Sequence, residues 1–145
     1  MSITWLTDKL AFCDMYSDFP EDASVVSCIN MKDGYNDPEI VYAKVKYILQ
    51  LLGRGRKVVV FCHAGLSRSP SMCITVLAHQ MGEGFLDTYF FVKDDIAPQI
   101  DIAPGLDKCC KEALERLNKR LVHKCSCGAP IDKEEGKCEY CLTKP

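Results

Sequence analysis

The chain has 145 residues, 48% of them hydrophobic, with 18 basic against 20 acidic side chains and a formal net charge of −2. That length and apolar content suit one ordinary domain with a real core and exclude a disordered chain. The charge balance offers no global basic field for nucleic acid or an anionic membrane. The sequence has no run of about 18 apolar residues and no basic-then-apolar start, so a soluble cytoplasmic protein is expected.

In chain order, the apolar runs at 10–12 and 25–29 predict short strands. A polar loop over 30–38 follows and carries two carboxylates, Asp33 and Asp37. Asp37 directly precedes Pro38 and a segment with Val41, Val45, Ile48 and Leu52 on one face. It therefore reads as the N-cap of a helix over 38–52, which Gly53 is expected to end. Asp33 has no such structural duty, and Gly34 beside it gives its loop freedom to close over a ligand. The β-branched run at 58–61 predicts a buried strand, and helices are expected at 70–81, 86–97 and 105–122. The first of these is apolar on nearly every side and should be central. The last carries Leu106, Cys110, Ala113, Leu114, Leu117 and Leu121 as a core stripe, with a basic trend from Lys111 to Lys124 that solvates its far side. This is an α/β layout.

Between the 58–61 strand and the 70–81 helix lies the octet Cys62-His63-Ala64-Gly65-Leu66-Ser67-Arg68-Ser69. A strand-to-helix loop can wrap so that successive backbone N–H groups point inward, and the helix behind it adds the positive end of its dipole. An anion is then held by His63, Ala64, Gly65, Leu66, Ser67 and Arg68 without any metal. The same field favours a thiolate at Cys62, and a thiolate is a nucleophile. Arg68 offers a planar fork that grips two phosphoryl oxygens, Gly65 permits the tight backbone, and Ser69 brings a hydroxyl near the sulfur. Expelling an alkoxide or phenolate from phosphorus also needs a proton donor worth about 10²-fold, and Asp33 is the preferred candidate over Asp37.

Cys62-x5-Arg68 resembles the signature of the cysteine-dependent protein tyrosine phosphatases, and the fuller Cys-x-Ala-Gly-x-Ser-Arg-Ser form is similar to the small dual-specificity branch. The similarity continues around 85–93 and in the proline-containing turn 102–106. The resemblance implies a central, mostly parallel twisted sheet flanked by helices, occupying residues 1–122. It also implies hydrolysis of phosphotyrosine and phosphoserine or phosphothreonine in protein substrates through a phosphocysteine intermediate, with no cofactor for catalysis. Phe61 stands where the family usually has a histidine, which implies a less strongly activated Cys62. Two other readings stay open. One is the same chemistry on RNA 5′ ends or inositol phosphates, whose enzymes tend to carry extra basic residues inside the loop, where this chain has only His63. The other is a phosphate-binding or recruitment module without turnover.

Four of the ten cysteines cluster at the end, as Cys125 and Cys127, then Cys138 and Cys141. Two close pairs joined by a short hairpin set four thiolates at the corners of a tetrahedron, which suits Zn²⁺, and the first pair followed by Gly128 resembles a zinc-ribbon knuckle. The spacing is Cys-x-Cys where ribbons show Cys-x2-Cys, so His123 is a further candidate ligand. Residues 123–145 have too few apolar side chains to fold alone, so metal binding would supply their folding energy, and a closed set of four thiolates makes that metal structural. The tail is also a possible platform for partner recruitment. Cys13, Cys28, Cys73, Cys109 and Cys110 read as small buried hydrophobes, and His79 as a hydrogen-bonded core residue.

Overall fold

The computed structural model describes residues 3–132, 136–138 and 141–142. Its sheet is built around β4 (Lys57–Cys62), the most β-branched segment of the chain, with β2 (Leu10–Asp14) and β3 (Ala23–Ser27) parallel to it on either side. The two-residue β1 (Thr4–Trp5), which the sequence did not signal, closes one edge antiparallel to β2 and gives the order β1-β2-β4-β3. Parallel neighbours need crossovers, and α1 (Pro38–Gly53) carries the chain from β3 to β4. α2 (Arg68–Met81), α3 (Phe85–Asp95) and α4 (Leu106–Arg120) follow.

Strand alternation divides the core. Leu10, Phe12, Val58, Val60 and Cys62 point to the face where all four helices pack. Ala11, Cys13 and Val59 point the other way, where Ile3, Phe19, Ala23 and Phe61 cover them without any helical residue. The flanking helices of the expected α/β sheet thus lie on a single face. α2 is buried from Ser69 to Ala78, as its all-round apolar sequence requires, and the α4 stripe is buried throughout. The basic side chains of α4 do more than solvate it. Arg120 grips Glu39 of α1 through two bonds of 3.1 and 3.0 Å and lies 4.8 Å over the Tyr42 ring. Among the described residues no helix is long and apolar enough to cross a membrane.

Asp37 caps α1 as the sequence predicts, with its carboxylate accepting from the Glu39 N–H at 2.9 Å and Pro38 in the first turn. The other end differs. α1 runs through Gly53, the cap is Arg54, and the left-handed glycine is Gly55 at φ 82°. Gly53 is small for a different reason: a Cβ there would lie 2.9 Å from the Ala129 Cα and from the Gly128 carbonyl. Those atoms belong to the hairpin of β5 (His123–Lys124) and β6 (Pro130–Ile131), which packs on the end of α1.

Candidate active site

The three parallel strands end side by side. Asp14 of β2 is in register with Cys62 of β4, and the Cys28 N–H just past β3 donates to the Phe61 carbonyl at 2.8 Å. A crevice at the carboxyl ends of parallel strands, where the chain order reverses, is the usual ligand position in open α/β sheets. The octet fills that crevice.

Its sulfur lies at the floor. Cys62 is 2% exposed while His63, Ala64 and Leu66 above it are exposed, and the Cys62 Sγ accepts from the Gly65 N–H at 3.3 Å. The Ser69 Oγ is 3.2 Å from the sulfur and 3.3 Å from the Cys13 carbonyl, so one buried hydroxyl touches both. Gly65 is fixed twice over. Its φ is 72°, and a Cβ there would come within 2.8 Å of the Asp14 nitrogen and the Cys13 carbonyl carbon. Phe61 turns its ring away from the loop onto Phe19, with centroids 5.3 Å apart, so it contributes packing and no hydrogen bond to the cradle.

Ser67, the N-cap of α2, makes no capping bond. Its hydroxyl instead accepts from the Ala103 N–H at 2.9 Å, and the Leu66 carbonyl accepts from the Asp101 N–H at 2.9 Å. The turn before α4 therefore buttresses the loop, and the first-turn amides of α2 are left without a side-chain cap, as an anion site requires. The sequence marks this turn only by its proline and not by any pairing with Ser67.

Arg68 reaches away from the loop to the candidate acid segment, where its Nη1 donates to the carbonyls of Ile29 and Met31, both at 3.0 Å. Asp33 lies two residues further on, exposed, and among the described residues its carboxylate has no hydrogen-bond or ion-pair partner. The two carboxylates of the loop thus differ as expected, one engaged as a cap and one uncommitted. The loop itself is more firmly held than its glycine suggests. The buried Asn36 accepts from the Lys32 N–H and donates to the carbonyls of Lys32 and Gly34, each at 3.0 Å. Tyr35 bonds Glu112 of α4 at 3.0 Å, and Gly105 is close enough to Tyr35 that a Cβ would lie 2.9 Å from its nitrogen. Asn36 escaped the sequence reading; a polar side chain closing a turn on its own backbone leaves only a compositional trace.

Around the loop the other cysteines are buried, as read. Burial pushes the Cys28 thiol up to about 12, and Cys73 rises well above its ordinary value for the same reason. His79 is hydrogen-bonded, its Nδ1 2.8 Å from the Asn118 Oδ1, though at the edge of the core.

At the tail, Cys125, Cys127, Cys138 and Cys141 place all four sulfurs within 4.8 Å of one another, and His123 is not in the set. Four thiolates at about 2.3 Å from one ion would stand about 3.8 Å apart, so the donor set fits a tetrahedral thiophilic metal. The Cys127 and Cys138 N–H groups aimed at Cys125 bring its thiol down to about 6, while its bond to Cys125 pushes the Cys141 thiol up to about 12. Gly128 at φ 95° turns the chain between Cys125 and Ala129, whose N–H and carbonyl bond at 2.8 Å.

No family model and no curated protein matches the sequence. Solved structures match its fold. A leucine-rich-repeat and phosphatase-domain protein from Entamoeba histolytica aligns with a TM-score of 0.68 at 16% identity, covering 81% of this chain and 94% of that one. PTPMT1 aligns at 0.67 and 15%, covering 81% and 97%, and Tk-PTP in its active form at 0.60 and 16%, covering 82% and 97%. The chain has the α/β fold of the cysteine-dependent tyrosine phosphatases, with a Cys-x5-Arg loop at the crevice of the sheet.

Proposed function

We propose that the chain is a cysteine-dependent phosphatase that hydrolyses phosphotyrosine and phosphoserine or phosphothreonine in proteins. The observation that carries this reading is the Cys62 sulfur on the floor of the loop, 3.3 Å from the Gly65 nitrogen and 3.2 Å from the Ser69 hydroxyl, with Arg68 at the start of the helix behind it. The loop amides bind the phosphoryl group, and Arg68 joins them by swinging its guanidinium from the Ile29 and Met31 carbonyls into the loop. The Cys62 thiolate attacks phosphorus as the P–O bond to the leaving group breaks, and Asp33 gives its proton to that oxygen. Water then attacks the phosphocysteine, Asp33 takes a proton from it, and the S–P bond breaks with the Ser69 hydroxyl donating to the departing thiolate. No metal enters these steps.

A phosphoinositide is the second reading, because the similar protein PTPMT1 has been solved in complex with PI(5)P. Against it, His63 is the one basic residue inside the loop besides Arg68. The four tail cysteines are read as a structural Zn²⁺ site, and a working thiolate together with a thiolate metal site supports a reducing, cytoplasmic setting. The test is turnover of phosphotyrosine, phosphoserine and phosphothreonine peptides, an inositol phosphate and 5′-triphosphorylated RNA, with wild type and Cys62→Ser. Hydrolysis of the peptides by wild type alone is expected. Turnover confined to the inositol phosphate or the RNA reassigns the substrate, and turnover retained by Cys62→Ser overturns the mechanism.

A further inference from the structure

The tail does not hang from α4; it is seated on α1. Gly53 lacks the Cβ that would collide with Ala129 and Gly128. Gln50, 2% exposed, donates its side-chain Nε2 to the Pro130 carbonyl at 3.0 Å, so a buried amide on the helix is committed to the hairpin. Arg54, which follows α1, points Nη2 at the Cys138 sulfur at 3.4 Å. A tail tethered at one point would need none of these three features.

Charge and size give the contact its sense. Four thiolates around one divalent cation leave an excess of two negative charges, and a guanidinium bonded to one of the sulfurs offsets part of it. The knuckle's own core is Cys125, Ala129, Ile131 and Cys138, too small to stand without a wall. α1 supplies that wall on one side and gives Val41, Val45 and Ile48 to the main core on the other. Its far end is Asp37, which closes the loop that bears Asp33.

We propose that the metal-loaded knuckle clamps the carboxyl end of α1, with Arg54 as the cationic partner of the thiolate cluster, so that metal occupancy governs the stability of the catalytic body as well as of the tail. This rests on the reading of the four cysteines as a metal site. The helix and the knuckle form one unit: loading the site anchors the last turn of α1, and emptying it frees that turn.

The experiment uses the full chain, loaded with Zn²⁺ or stripped by a chelator. Chelator competition on Arg54→Ala should show Zn²⁺ affinity lowered 10- to 100-fold, on the order of the loss expected for a partner that hydrogen-bonds a ligand, with Arg54→Lys in between. Gly53→Ala separates docking from helix propensity. In the stripped chain, alanine should leave the melting temperature unchanged or raise it, since it favours helix over glycine; in the loaded chain it should lower it. Hydrogen exchange at residues 50–54 should be slow in the loaded form and fast in the stripped one. A chain that takes up no Zn²⁺ overturns the metal reading together with this one. A chain that binds one Zn²⁺, keeps its affinity in Arg54→Ala and gains stability from Gly53→Ala in both states keeps its metal site and overturns the clamp.

Discussion

The Cys62 loop and the C-terminal knuckle each set cysteine sulfur at a turn of the chain, and they do so by opposite means. At the loop a single buried sulfur accepts from one main-chain N–H and lies beside a hydroxyl, with exposed residues near it in the chain. At the knuckle four sulfurs lie within 4.8 Å of one another. Under the proposed function, one nucleophile serves a passing anion, and a set of four ligands serves a resident cation. Their foundations differ accordingly. The loop rests on the main core, between β4 and the buried α2, whereas the knuckle has four small buried residues of its own. The chemistry of one should therefore survive changes that unfold the other only as far as α1 couples them.

The comparison breaks most sharply at the nucleophile. Cys62→Ser should cost about 10³-fold or more in kcat while leaving Zn²⁺ content per chain unchanged, as read by turnover and metal analysis on the same sample. Gly65→Ala comes next. It forces a side chain into a left-handed position and against the end of β2, so thermal unfolding should report a loss of about 2 kcal/mol or more, together with a collapse of activity. Asp33→Ala should lower kcat by about 10²-fold on a substrate with a poor leaving group and far less on one with a good leaving group. Asp37→Ala, which removes only a cap, should cost about 1 kcal/mol of stability with kcat nearly kept. If the last two variants exchange their effects on kcat, the division of labour between the two carboxylates is reversed.

The sequence was most legible where one local pattern serves one purpose. The Asp37-Pro38 cap and the stripe of α4 each announce themselves within a dozen residues, and each stands as read, while the octet lies between β4 and α2 where a strand-to-helix loop was expected. What escaped depends on contacts between distant segments. Gly53 reads as a helix stop by its identity, yet its smallness answers to Gly128 and Ala129, more than seventy residues on. Gly34 suggests a loose loop, but Asn36, Tyr35 and Gly105 hold that loop against α4. Ser67, read as a residue of the anion loop, also tethers Ala103. β1, two residues long, is a strand only because β2 offers it an edge.

The most direct test of the central claim is rapid acid quench of the enzyme during turnover, followed by mass spectrometry of the peptide that contains Cys62. The expected result is a phosphate adduct on the Cys62 sulfur that forms within one turnover, decays at the rate of product release and is absent from Cys62→Ser. Turnover with no adduct on that peptide, or with the phosphate on another side chain, would contradict it.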